Sequence, residues 1–274
     1  MISQQVIKMN GEKESFSSKK VYYSAIKAGA PAFLARNISK EIESEVYDGI
    51  KTTEIFKKVK EKLKKEDLQL SLRFSLKEGM RKLGPAGFVF EVFIQRAFSR
   101  LGMKVEGNRI ISGKCCSYET DFLAKKDGVT YIGECKYRNS AGDKIDVNVC
   151  LKGFAVLEDI KSAGKFDTIT NFLIATNAKF TDQAIKYSNC KGIELLGWNY
   201  PKNEGLESVI DRNKLYPVTI LPSFKNYHAE VFKKEGIMLA DEILNLDVVK
   251  FSKKVNIPEN QLESLKKEAN TLLK

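Results

Sequence analysis

The chain has 274 residues, 43% hydrophobic and 30% charged, and that length accommodates two domains or one with appendages. No run of about 18 apolar residues is present to span a membrane, and five cysteines without a C-x-x-C pair, beside the single histidine His228, argue against a structural zinc site and against histidine-based catalysis. The formal net charge of +11 favours polyanions such as nucleic acid or nucleoside phosphates, although a lysine-rich surface would carry the same charge.

Val6-Ile7, Asn10-Gly11 and Phe16 predict a hairpin over residues 5–16, because Asn-Gly is a strong two-residue turn signal. Helical spacing then predicts helices over 18–28, over 39–48 with Ser39 as the cap, and from Thr52 or Thr53 to Leu63. A fourth runs over 66–83, with Leu68, Leu72, Leu76 and Met80 on one stripe. Gly84-Pro85 breaks the pattern and marks a domain boundary. Residues 87–101 read as a helix with Phe90, Phe93, Ile94 and Ala97 on its apolar face, ended by Gly102. Strands are expected near 108–112, 119–125 and 129–137, a helix over 146–160, a buried strand over 171–175, a helix over 181–188 and a strand over 193–198. Strands alternating with helices imply a parallel or mixed sheet. From Asn226 onward the chain reads as helical. This gives an α/β protein of three stretches: a helical module over 1–83, a mixed sheet flanked by helices over 84–224, and a helical appendage over 225–274. The basic excess lies in residues 1–82, with 18 Lys/Arg against 11 Asp/Glu, whereas 225–274 hold 9 against 8. The last stretch therefore reads as a plain appendage or a homo-oligomer contact.

The informative segment runs from Tyr118-Glu119-Thr120-Asp121 to Gly133-Glu134-Cys135-Lys136. Asp127-Gly128 predicts a two-residue turn that places Asp121 opposite Glu134 and Glu119 opposite Lys136. Cross-strand neighbours have Cβ atoms roughly 5 Å apart, and alternation puts all four polar groups on one face. Phe122, Ala124, Val129 and Tyr131 take the other. Two carboxylates so placed can share a hard cation, and Lys136 can orient a water or meet charge on a phosphate. The same pattern also fits an amphipathic hairpin whose charged face is merely solvated.

From Gly84 to Lys136 the chain resembles the restriction-endonuclease-like superfamily with the PD-(D/E)xK signature. The matching residues are Gly87-Phe88-Val89-Phe90-Glu91, Glu119-Thr120-Asp121 and Glu134-Cys135-Lys136; the proline that usually precedes the aspartate is replaced by Thr120. The resemblance implies that Asp121 and Glu134 bind Mg²⁺ or Mn²⁺, that Lys136 assists attack, and that Glu91 supports the metal site. Lys152 and Arg138 are candidates for contacts with backbone phosphates, or are ordinary surface charges.

Residues 6–80 resemble the ATP-cone, carried by Val6-Ile7-Lys8, Asn10-Gly11, Phe16, Lys20 and Thr52-Thr53-Glu54-Ile55. That resemblance implies ATP or dATP as a regulatory ligand, with Lys8, Glu14, Ser17, Lys20 and Thr52 lining its pocket. Met9 and Asn10 stand where that family usually has a basic residue and an aspartate. No Gly-rich phosphate loop of the G-x-x-x-x-G-K type is present, so nucleotide sensing is expected and not motor work. The expected activity is a cytoplasmic, Mg²⁺-dependent DNA endonuclease regulated by nucleotide. The alternative is a non-catalytic, nucleotide-sensing regulator that binds nucleic acid.

Overall fold

The computed structural model describes residues 4–83, 88–140, 142–164 and 169–274; Gly84-Pro85 and Gly87, predicted as a boundary and a helix start, lie outside the described residues. The chain divides into two compact units, one of residues 1–79, 220–224 and 243–274, the other of residues 80–219 and 225–242. Among the described residues no helix is long and apolar enough to cross a membrane.

In the first unit, β1 (Gln5–Ile7) pairs antiparallel with β2 (Lys13–Ser15). Helices α1 (Ser18–Lys27) and α2 (Ala32–Glu45) lead to β3 (Ile50–Lys51), which lies parallel to β1. α3 (Thr52–Glu66), α4 (Leu68–Phe74) and α5 (Leu76–Arg81) follow. Val21, Ala25, Ala35, Ile38, Ile42, Val59 and Leu63 meet in one core beside Val6 and Ile50. The N-terminal turn is one residue longer than predicted: Lys8 N–H still bonds Glu12 O, leaving Met9, Asn10 and Gly11 as the loop. Only Gly11 is left-handed (φ 84°), as in a three-residue loop; a type I′ turn would need Asn10 there too. α2 starts at Ala32, seven residues before the predicted cap, with Pro31 in the N-cap position. Ser39 is instead a buried mid-helix residue whose hydroxyl donates to Arg36 O. Thr52 is the first residue of α3 and not its cap, since Lys51 is held extended by β1. The predicted helix over 66–83 is two helices, the first capped by Asp67 accepting from Gln69 N–H.

In the second unit, α6 (Phe88–Arg100) precedes β4 (Lys104–Ser112), β5 (Ser117–Lys126) and β6 (Val129–Lys136), an antiparallel meander. After the two-residue β7 (Lys144–Ile145), α7 (Val147–Ser162) crosses to β8 (Ile169–Thr176), which runs parallel to β6. β9 (Lys179–Phe180) pairs with β7, and α8 (Asp182–Lys191) leads to β10 (Glu194–Leu196), parallel to β8. The five-stranded sheet has the order β10-β8-β6-β5-β4. Both crossovers are helical, as parallel pairs require. Phe90, Phe93, Ile94, Ala97 and Phe98 of α6 are buried on one face. Leu123, Ile132, Phe172 and Ile174 pack with Cys150, Leu157 and Ile160 of α7 on the other.

Beyond the sheet come α9 (Leu206–Arg212), α10 (Asn226–Lys234), α11 (Ala240–Leu244), α12 (Val248–Val255) and α13 (Glu259–Leu273). Residues 225–274 read as one helical region in the sequence but are shared between the two units. The reason lies in α13, whose buried stripe Leu262, Leu265, Ala269 and Leu272 belongs to the first unit. There Gln69 of α4 donates to Leu272 O at 3.2 Å.

Candidate active site

The turn at Asp127-Gly128 sets the geometry of the meander. Both residues are left-handed (φ 50° and 77°), the type I′ turn that Asp-Gly favours and that matches strand twist. The resulting register pairs Lys126 with Val129, Ala124 with Tyr131 and Phe122 with Gly133, as the turn predicts. The face that carries Asp121 and Glu134 is not simply solvated, however. Leu123 and Ile132 on the same face are buried in the core that α7 covers, so only its end is open.

At that end the sheet forks. The β5–β6 rungs stop at Phe122 opposite Gly133, while β5 stays with β4 as far as Ser117 and β6 stays with β8 as far as Lys136. Asp121 therefore stands on one prong, and Glu134 and Lys136 on the other. The two carboxylates are not ladder partners, and the predicted Glu119–Lys136 pairing is not formed. Glu119 faces Ile110 across β4, and the Lys136 ammonium bonds the Glu134 carboxylate on its own strand.

Backbone groups released where strands part must find other partners. The Asp121 carboxylate accepts from Cys135 N–H at 2.5 Å. The Thr120 hydroxyl lies 2.7 Å from Gly133 O and 3.1 Å from Phe122 O. The Gln95 side-chain amide donates to Asp121 O at 2.8 Å. The prong of β6 is tied to β8 by Thr176, whose hydroxyl donates to Lys136 O at 2.5 Å. Asn177 then clamps both backbone groups of Arg138, at 2.8 and 2.9 Å. Arg138 and Lys136 thus share an anchored segment. Gly133 is required at the last rung because the buried Phe122 ring lies over it; an added Cβ would be 2.1 Å from that ring.

Electrostatics at the fork follow from crowding. Burial pushes the Asp121 carboxyl above its ordinary value, the Cys135 N–H opposes this, and Glu134 adds to it. Glu91, on α6, is raised by burial first and then by Asp121 and Glu134. Burial also holds the Cys135 thiol well up, and so uncharged. Three mutually repelling carboxylates are a setting that a cation would relieve. Among the described residues no three His, Cys, Asp or Glu side chains stand close enough to cage a metal ion. Mg²⁺ asks for less, because it commonly binds through one or two carboxylates together with water and substrate phosphates. Asp121 and Glu134 offer two carboxylates at the fork, and no larger group of such ligands stands there among the described residues.

Beside Glu134, between the sheet and α7, lies a cavity of about 210 Å³ lined by Glu119, Thr120, Lys152, Gly153 and Phe172 among others. Next to it, Asp159 of α7 fastens the β4–β5 turn by accepting from Cys115 N–H at 2.9 Å and Tyr118 OH at 3.0 Å. Burial works against the Asp159 carboxylate, but these donors hold it below its ordinary value. The same bond pushes the Tyr118 phenol up to about 12.

In the first unit the predicted nucleotide residues cluster at one edge. β1 and β3 run parallel, so Lys8 and Thr52 follow paired residues at the same end. Glu14 ion-pairs with Lys8 at 3.3 Å and with Lys20, in the first turn of α1, at 3.0 Å. Those lysine bonds lower the Glu14 carboxyl, that to Lys20 foremost. Ser17 is the N-cap position of α1, without a side-chain cap bond. The N-termini of α1 and α3 thus lie next to basic residues, a setting that suits phosphate.

Sequence reasoning missed Gln95, Thr120, Thr176 and Asn177. Gln95 could have been noticed as a polar residue one turn after Glu91 in an otherwise apolar stretch. The others had no signal in spacing, since each serves a backbone group freed by the fork.

Residues 4–76 match the family of the ATP cone domain, and residues 216–273 match the family AF1548-like, C-terminal. An uncharacterized protein of Archaeoglobus fulgidus is 34% identical over 152 residues, covering 54% of this chain and 82% of that protein. The crystal structure of a protein of unknown function, AF1548, superposes with a TM-score of 0.59 at 26% identity, over 69% of this chain and 98% of that one.

Proposed function

We infer that this chain, which belongs to the family of the uncharacterized Archaeoglobus fulgidus protein, is a divalent-metal-dependent DNA endonuclease governed by ATP or dATP at its N-terminal domain. The observation that carries this reading is the fork, which parts Asp121 from Glu134 and Lys136 where the β5–β6 ladder ends. The order helix, three-stranded meander, crossover helix, parallel strand supports a restriction-endonuclease-like reading, with Asp121, Glu134 and Lys136 where the β5–β6 ladder ends.

Asp121 and Glu134 would hold Mg²⁺ or Mn²⁺. A bound ion of this kind polarises a phosphodiester and makes its water a stronger nucleophile. Lys136 would orient the attacking water and meet negative charge on the phosphate; its ammonium is bonded to the Glu134 carboxylate. Glu91, on α6, is near enough for Asp121 and Glu134 to raise its carboxyl, and it would support the metal site. The net charge of +11 supports DNA as the substrate. Nucleotide sensing is the coarser part of the reading, supported by the ATP cone match and by the clustering of Lys8, Glu14, Lys20 and Thr52.

The test is nicking of supercoiled plasmid with and without Mg²⁺ or Mn²⁺, at several ATP and dATP concentrations. Metal-dependent cutting, abolished by Asp121→Ala and modulated by nucleotide, is expected. The second reading, a non-catalytic regulator that binds nucleic acid, draws on the net charge of +11, which favours nucleic acid with or without cleavage. Salt-sensitive DNA binding that Lys136→Ala leaves unchanged, with no cutting of any substrate, would favour it.

A further inference from the structure

The Asp121 backbone is loosened on both sides. Toward β6 the ladder has ended. Toward β4 the rungs Gly107–Phe122 and Arg109–Thr120 are formed, but the one between them, Asn108–Asp121, is missing. Asn108 is turned into the left-handed region (φ 47°) at that point. A helix side chain enters beside this gap. Gln95 lies against Gly107 so closely that a Cβ there would be 2.6 Å from its Oε1, and its Nε2 donates to Asp121 O at 2.8 Å. Glu91 precedes it by one turn of α6, so one helix face serves both prongs' chemistry.

We propose that Gln95 is a positioning residue for Asp121: it replaces the missing strand rung with a side-chain amide and thereby fixes where the carboxylate stands at the fork. Gly107 leaves the room, Asn108 breaks the rung, and Gln95 fills the gap. Its action on the reaction rests on the nuclease reading, while its action on Asp121 does not. A glutamate of the same shape cannot supply the donor when ionised, and a methionine fills the space with no donor at all.

The experiment compares wild type, Gln95→Met and Gln95→Glu by NMR hydrogen exchange at the Cys135 amide, which the Asp121 carboxylate covers, together with DNA cleavage. Loss of one hydrogen bond is expected to speed that exchange roughly threefold to tenfold in both variants. It should lower kcat about as much, with KM for DNA unchanged. Packing is largely kept in Gln95→Met, so a purely structural role predicts unchanged Cys135 exchange, and that result overturns the proposal. Global unfolding of both variants would also overturn it, marking Gln95 as scaffold. If wild type cuts no DNA, the nuclease reading falls, but the exchange comparison still decides the role of Gln95.

Discussion

Gly133→Ala probes the rung on which the whole site depends. The new Cβ would stand 2.1, 2.2 and 2.3 Å from three atoms of the Phe122 ring, more than about 1 Å inside normal contact distance. That ring cannot withdraw: it is fully buried and meets Phe98 edge-on at 5.3 Å between centroids. The strands must part instead, at the last rung before the fork. Overpacking of this severity costs about 3 kcal/mol, equivalent to a fall in Tm of roughly 6–12 °C for a unit of this size. Gly128→Ala is the control, since its added Cβ meets nothing within 4 Å and suffers only from the positive φ of 77°, a cost of about 1 kcal/mol. Calorimetry of both variants, with the transition of the second unit followed separately, gives the comparison. A Gly133→Ala loss no greater than that of Gly128→Ala would refute the register, and with it the placement of Asp121 across from Glu134 and Lys136.

Asp121→Asn should abolish cleavage yet stabilise the metal-free protein at neutral pH. Asp121 and Glu91 have raised carboxyls in the folded chain, so the native state retains protons that the unfolded state has released. The stability they contribute therefore declines as pH climbs from the ordinary carboxylate range through the raised one. The Tm advantage of Asp121→Asn over wild type should accordingly widen with rising pH, and a shrinking difference would contradict the crowding argument. Lys20→Ala should weaken ATP binding roughly tenfold by calorimetry and leave metal affinity unaltered; parallel loss of both would speak against two separate sites. Asp159→Asn should bring the Tyr118 phenol down from about 12 toward the ordinary value of 10, seen as an earlier phenolate absorbance step. An unchanged titration curve would mean that Asp159 does not hold Tyr118.

Local codes were legible in the sequence where they are short-range. Asp127-Gly128 fixed turn and register because only one hairpin geometry suits two left-handed residues. The stripe Phe90, Phe93, Ile94 and Ala97 announced the buried face of α6. The alternation of strand and helix gave a mixed sheet. What escaped was long-range. The fork arises because β5 follows β4 while β6 follows β8, and no local pattern states where two ladders separate. A reading from the turn alone therefore extended the β5–β6 pairing three rungs too far and placed Glu119 opposite Lys136. The supports Thr176 and Asn177 were hidden for the same reason, being about 40 residues from the groups they bond. The pairing of α13 with α4 spans 203 residues, which made 225–274 look self-contained. Pro31, just ahead of α2, is a local signal for the start of that helix that Ser39, further along, is not.

On the proposed reading, Asp121 and Glu134 together hold one divalent ion at the fork. Crystals grown with Mn²⁺ and recorded near the manganese absorption edge test it directly. An anomalous peak within coordination distance of both carboxylates, lost in Asp121→Asn, is the expected result. No peak at the fork under saturating Mn²⁺, or a peak that survives in Asp121→Asn, would contradict it.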